Sequence, residues 1–330
     1  MFGSMKLPPS PRAIYASSLL MTTTLALGSP LAESPYRLEI VGPWTVEGGM
    51  KKKKEGVSAA AMLDGRHGLL ATDEGSLVQP FVLDPSRNAI TVSKGFTLLE
   101  GKEEMDIEAM CSAPEIGTYF VTGSHALGRK NGLLQESRYR IYRVTPGKSG
   151  VRPALREGSL RSVLKSLPEL RPFLDLPAPA NGIDVEGMAW KNGRLYIGFR
   201  SPVLADGACL LEVDPACIFE GLAPTGRLHR VKLPAGNGIR SLSPVKEGLL
   251  LLTGDQGAAK ADGVPSLYLW KLDQEDPILL GAVPTGGAKP EAIVLLSESE
   301  TTLRLLMMSD GADNGAPIAL QIARKPASGS

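Results

Sequence analysis

The sequence predicts an all-β fold, a β-propeller of five four-stranded blades, with six blades the alternative. Three observations predict it. A short motif built around one charged residue recurs along the chain, a tight polar turn follows each copy, and runs of strand-forming residues fill the intervals. Gly and Pro are both plentiful, 37 and 26 residues, as many short strands joined by turns require.

The motif sets the first strand of each blade. Met105–Met110 reads MDIEAM and Ile183–Met188 reads IDVEGM. Lys289–Ile293 (KPEAI) is a looser copy, Gly238–Leu242 (GIRSL) carries Arg in place of Glu, and Gly56–Ala60 (GVSAA) is the faintest. Alignment puts Ser58, Glu108, Glu186, Arg240 and Glu291 at one equivalent position. The spacing is about fifty residues, within the range of propeller repeats, except for a longer second interval.

The later strands follow in order. Polar turns at Asp64–His67, Pro114–Gly117, Lys191–Arg194 and Lys246–Gly248 lead into a second run: Leu69–Thr72, Thr118–Thr122, Leu195–Phe199, Leu249–Thr253 and Leu303–Met308. A third run comes at Val78–Leu83, Tyr139–Val144, Cys209–Val213, Leu267–Leu272 and Ile318–Ala323, and a fourth at Ile90–Leu98, His229–Leu233 and Ile278–Val283. The last repeat lacks its fourth strand, while Tyr36–Glu47 is a strand without a blade. Pairing the two closes the ring and removes two exposed edges. The long second interval is read as an amphipathic helix over Ser159–Phe173, with Leu160, Val163, Leu164, Leu167 and Leu170 at helical spacing. The propeller is thus expected over 36–325, with a helical insertion at about 156–176 between the second and third blades.

The N-terminus reads as a signal peptide over residues 1–32, which makes the protein periplasmic or secreted. Lys6 and Arg12 precede an uncharged apolar run, Ala13–Leu27, and small residues between Ala26 and Ala32 offer a cleavage site. The run is too short for a membrane span, and a buried core helix is the alternative reading. Three cysteines, Cys111, Cys209 and Cys217, leave at least one thiol unpaired; Cys209 and Cys217 form either a local disulfide or two separate buried thiols. A formal charge of +1 gives no electrostatic footprint for nucleic acid.

Strand order fixes where function is expected. The first strands start on the face that carries the long loops, and long loops on a rigid scaffold are where binding groups gather. There the start of each first strand lies beside the end of the second. This pairs Ser58 with Asp73, Glu108 with Ser124 and His125, Glu186 with Arg200, Arg240 with Asp255, and Glu291 with Asp310, around one mouth of the channel. His125 is the candidate general base with Glu108 as its orienting acid. Arg200 and Arg240 can grip a small anion, with Asp255 and Asp310 as further substrate-binding groups. Glu186 and Glu291 can ligate a divalent cation such as calcium. The alternative is that Glu186–Arg200 and Arg240–Asp255 are cross-strand ion pairs. His67 and His229 read as surface residues, and Lys51–Lys54 as a solvated run.

Several of these motifs together resemble a bacterial family, domain of unknown function 3616. They are Asp184–Trp190 (DVEGMAW), Gly193–Pro202 (GRLYIGFRSP), Gly238–Leu242, Lys289–Ile293, and Asp106–Met110 with Gly123–His125. The resemblance spans about Gly56 to Ala323 and implies an exported propeller-type protein. The Asp-x-Glu-Gly strand starts are also similar, more loosely, to esterase-like domains associated with phytases, which implies ester or phosphoester hydrolysis. The expectation is therefore a hydrolase of a small anionic ester; the alternative is a non-catalytic propeller that binds a ligand or a cell-envelope partner.

Overall fold

The architecture comes from a computed structural model, which describes residues 34–51, 54, 56–101, 103–128, 132–148, 151–257, 264–272 and 274–325. The expected signal peptide, and Lys52 and Lys53 of the tetralysine run, lie outside the described residues. Two strands open the chain, β1 (Tyr36–Pro43) and β2 (Thr45–Gly48). Blade 1 is β3 (Ala59–Met62), β4 (His67–Ala71), β5 (Leu77–Asp84) and β6 (Ala89–Val92), followed by the two-residue β7 (Phe96–Thr97), which also pairs with β5. Blade 2 is β8 (Ile107–Ala113), β9 (Thr118–Gly123), β10 (Arg140–Thr145) and β11 (Ala154–Ser159). After helix α1 (Arg161–Ser166), blade 3 runs β12 (Asp184–Lys191), β13 (Arg194–Leu204), β14 (Gly207–Val213) and β15 (Arg227–Val231). Blade 4 is β16 (Asn237–Val245), β17 (Gly248–Asp255), β18 (Ser266–Trp270) and β19 (Ile278–Ala282). Blade 5 joins β20 (Lys289–Glu298), β21 (Thr302–Asp310) and β22 (Ile318–Arg324) to β1. This is a five-bladed β-propeller.

The ring closes through the N-terminal segment, which is divided rather than continuous. β1 pairs antiparallel with β22, Tyr36 opposite Arg324, as the outer strand of blade 5. β2 then pairs parallel with β6 on the outer edge of blade 1. Trp44, buried between them, donates its backbone N–H to Pro317 O at 2.8 Å, and Thr45 donates to Asn88 O at 2.9 Å.

The core is distributed over five clusters, one at each blade–blade interface. The run Leu249–Leu252 shows why four consecutive leucines make one strand. Leu249 and Leu251 pack toward blade 3, and Leu250 and Leu252 toward blade 5, so both faces of β17 are apolar. The three thiols are free and buried, so Cys209 and Cys217 are separate.

The second interval differs from its expected form. Ala154–Ser159 is the fourth strand of blade 2, with Arg140 opposite Ser159, and only Arg161–Ser166 is α-helical. Helix interiors do not accommodate Pro, and the α-helix stops before Pro168, with a 3-10 turn following at Arg171–Phe173. The apolar spacing still had a structural meaning: Leu160, Val163, Leu164, Leu167 and Leu170 all seal the interface between blades 2 and 3.

Candidate functional site

The four charged motif positions share a backbone feature. In β8, β12, β16 and β20 the register with the second strand shifts at Ile107/Ala109, Val185/Gly187, Ile239/Ser241 and Pro290/Ala292. Glu108, Glu186, Arg240 and Glu291 are therefore bulge residues, unpaired in the ladder, and a bulge re-aims its side chain. Ser58 directly precedes β3, and its hydroxyl donates to Ile107 O of blade 2 at 2.7 Å. All five positions are buried.

The charges form a chain across blades 3, 4 and 5. Arg200 donates to Asp184 and, at 2.7 Å, to Glu186 Oε1. Arg240 Nη1 reaches Glu186 Oε2 at 3.1 Å and Glu291 Oε1 at 3.0 Å, while its Nη2 donates to Asp255 O at 3.0 Å. In blade 2, Arg138 Nη1 donates to Asp106 Oδ2 at 2.8 Å.

Carboxyl groups of Asp73, Asp106, Glu108, Asp184, Glu186 and Glu291 thus share this end of the channel with the guanidinium groups of Arg138, Arg200 and Arg240. Two of these carboxyls, Glu108 and Glu291, have a raised affinity for a proton. Burial first, then the charges of Glu291 and Glu186, raise the Glu108 pKa well above the ordinary range. Burial and Glu186 push Glu291 up to about 8 although Arg240 opposes the shift. Arg200 moves the other way: burial works against its charge, but Glu186 and Asp184 outweigh that and raise its pKa.

The expected roles are redistributed accordingly. Glu186–Arg200 is an ion pair as anticipated. Arg240 meets Asp255 through the backbone carbonyl, and the Asp255 carboxylate instead accepts the Gly257 N–H at 2.6 Å. Asp310 pairs with Lys289 at 3.2 Å rather than joining an anion site. Both arginines are spanned by carboxylates, which leaves the expected anion clamp without a free fork. Both oxygens of Glu186 accept from guanidinium groups, an arrangement unsuited to a cation ligand.

The expected Glu108–His125 couple is not assembled. His125 is fully buried with φ 55°, and its ring turns toward Thr122, with Nε2 at 3.0 Å from Oγ1, and stands edge-on to Tyr139. Its Nδ1 has no hydrogen-bond partner among the described residues. Burial, with the nearby Arg161 charge, lowers its pKa to about 3, so the imidazole is neutral. Within the cluster, Asp73, Asp106 and Glu108 have one oxygen from each within 4.8 Å of the others. This is the one place among the described residues where three acids approach a cation-ligating geometry, although Asp106 already accepts from Arg138.

Asp106, Asp184 and Arg138 were not among the expected site residues. The two aspartates had a visible signal, because both stand two places before the motif glutamate in MDIEAM and IDVEGM. Arg138 had none: it lies in a 3-10 turn, Glu136–Tyr139, at the end of a long loop.

The fold and the buried charge cluster define the class: a five-bladed propeller with interlocked buried charges at one end of its channel. Residues 150–316, slightly more than half of the chain, match the family described as protein of unknown function (DUF3616). The chain belongs to this family. Among solved structures it is similar to YCF48 bound to D1 peptide, at 10% identity and TM-score 0.35 over 85% of this chain and 67% of that one. It is similar also to the tail fibre of Staphylococcus aureus phage P68, at 10% identity and TM-score 0.43, over 87% of this chain and 53% of the fibre. A third likeness is to the major Malassezia sympodialis allergen Mala s 1, at 12% identity and TM-score 0.39, over 83% and 81% of the two chains. No curated protein matches the chain. No helix among the described residues is long and apolar enough to cross a membrane.

Proposed function

We propose that this chain is an exported, non-catalytic binding propeller, in which the charged cluster serves as an inter-blade clamp rather than as a reaction centre. One observation carries the reading. The residues best suited to acid–base chemistry and anion binding are occupied or held apart, with Arg200 and Arg240 spanned by carboxylates and His125 turned to Thr122 and Tyr139. A general base must reach the proton it removes, and a buried imidazole titrating near 3 is also a poor base at neutral pH. Export is supported by the basic start and the apolar run Ala13–Leu27.

An esterase and phosphatase substrate panel, with and without EDTA, tests the non-catalytic reading. Turnover that disappears in folded His125→Ala or Glu108→Gln would overturn it; the expected result is no turnover in any of the three proteins. Export is tested by expressing the full chain in a bacterial host and determining the N-terminus of the mature product. Processing between Ala26 and Ala32, with recovery from the periplasm or medium, is expected.

A further inference from the structure

The end of the central channel away from the charged cluster has a different chemistry. Two places beyond the motif position the inner strands carry Met110, Met188 and Leu242, and four places beyond it Met62, Trp190 and Leu295. These residues help to line a cavity of about 440 Å³ bounded by β3, β8, β12, β16 and β20, the inner strands of all five blades. Small-molecule pockets commonly enclose about 300–1,000 Å³ and are mostly apolar with a few fixed polar groups.

The ionisable groups of this wall are engaged within the protein. Asp64 Oδ1 accepts the backbone N–H groups of Arg66 and His67, both at 2.7 Å. Glu115 accepts from Trp190 Nε1, and Lys191 Nζ donates to Val245 O at 2.6 Å. The Ser112 hydroxyl donates to Met62 O. Asp64, Glu115 and Lys191 are exposed or half-buried near the turn end of the inner strands, whereas the wall between Met110, Met188 and Leu242 is buried and uncharged, so an ion would lose its hydration there without a charged partner. The aromatic part of the wall is fixed in place, because the Trp190 ring stacks on Phe120 with centroids 5.5 Å apart while Glu115 holds its N–H. The methionines that share the wall, Met62, Met110 and Met188, are of a residue type that adapts its shape and makes favourable sulfur–aromatic contacts.

We infer that this cavity binds a neutral, mostly apolar small molecule with an aromatic ring, received between Trp190 and the thioethers of Met62, Met110 and Met188. The inference rests on the binding reading above and gives it a ligand class. The ligand enters from the turn side of the ring, opposite the face on which the long loops lie.

The test uses the full chain and N-phenyl-1-naphthylamine, a neutral aromatic probe that brightens in apolar surroundings. Saturable one-to-one binding is expected, with 1-naphthoate and 1-naphthylmethylammonium displacing the probe only at concentrations at least about tenfold higher than neutral naphthalene derivatives. Two variants add bulk from blades 1 and 4, Met62→Trp and Pro244→Trp, at half-buried wall positions. Each is expected to weaken binding at least about tenfold while circular dichroism and the thermal midpoint stay at wild-type values. Leu134→Trp, exposed on the long-loop side, is expected to bind like wild type. Probe binding that does not saturate overturns the site, as does wild-type affinity in either blocking variant that folds. Tighter binding of a charged analogue overturns the ligand class. Turnover in the hydrolysis panel would overturn the non-catalytic reading and leave this site standing; failure of the probe would do the reverse.

Discussion

Arg240 Nη1 of blade 4 stands 3.1 Å from Glu186 Oε2 of blade 3. The same nitrogen lies 3.0 Å from Glu291 Oε1 of blade 5, so one guanidinium group ties three consecutive blades together. The contact forms because Glu186, Arg240 and Glu291 all occupy bulges, which free them from the ladder at the same height on the axis.

Removing that guanidinium should be costly. Arg240→Met leaves Glu186 and Glu291 buried beside one fewer positive charge, and breaking such a group typically costs about 3–5 kcal/mol. Urea unfolding should show this loss, and the triple variant Arg240→Met, Glu186→Gln, Glu291→Gln should recover part of it. A loss below about 1 kcal/mol would mean that the clamp contributes little.

Stability should fall as pH rises through the neutral range. Burial and the charge of Glu186 raise Glu291 from an ordinary 4.5 to about 8, so between those values the folded state holds a proton that the unfolded state has released. The native state then binds more protons, and the slope is negative, about 1.4 kcal/mol per pH unit for one full proton. Unfolding midpoints measured from about pH 5 to pH 8 should decline, and Glu291→Gln should flatten the decline. Glu108, raised in the same direction, supplies the remainder.

His125 should act in the opposite sense and at lower pH. Burial depresses it from 6.5 to about 3, so on acidification the unfolded state takes up a proton that the native state refuses. The destabilisation begins as pH falls below about 6.5 and grows toward 3. His125→Asn keeps a residue tolerant of the left-handed backbone and should weaken this acid dependence. Titration of the His125 resonances by NMR should show a neutral ring throughout the neutral range; an apparent pKa near 6.5 would refute the assignment.

Gly238 is a packing requirement. A Cβ there would lie 2.0 Å from Arg200 O and 2.6 Å from Arg200 Cα, both backbone atoms of the neighbouring blade. Gly238→Ala must displace β13 at the residue that carries the Arg200 guanidinium, and overpacking of this kind costs about 1–3 kcal/mol. Gly65→Ala, with open space around its Cβ position, is the matched control and should change the thermal midpoint little.

The repeat was legible because a charged residue reappears at the start of four of the five inner strands, with Ser58 at the fifth, and polar turns follow. β17 was legible for a related reason, since only a strand covered on both faces carries Leu249–Leu252 without interruption. β11 was not. Its residues are mostly exposed on an outer edge, so Ala154–Ser159 lacks the alternation that marks a half-buried strand, and the leucines after it suggested a longer helix. Within the site, the ring position and the Glu186–Arg200 pair followed from strand geometry alone. The direction of His125 did not follow, because a single left-handed residue after β9 rotates the side chain away from the place that simple alternation assigns. The bulges were equally silent: a one-residue register shift leaves no mark on composition.

The division of the N-terminal segment between β22 and β6 has a consequence for the order in which the molecule can assemble. Blade 5 needs Tyr36–Pro43 and Ile318–Arg324 side by side, so its seam cannot be sewn until every residue from the start of the first strand to the end of the second has been made. Until then, β1 waits without its partner strand and the inner face of the unfinished circle lies open to water. Such distant pairing slows folding, because the entropy of closing a very long loop is lost before any contact compensates it. The same seam makes the finished ring cooperative, since opening it at Trp44 loosens the first blade and the last in one event.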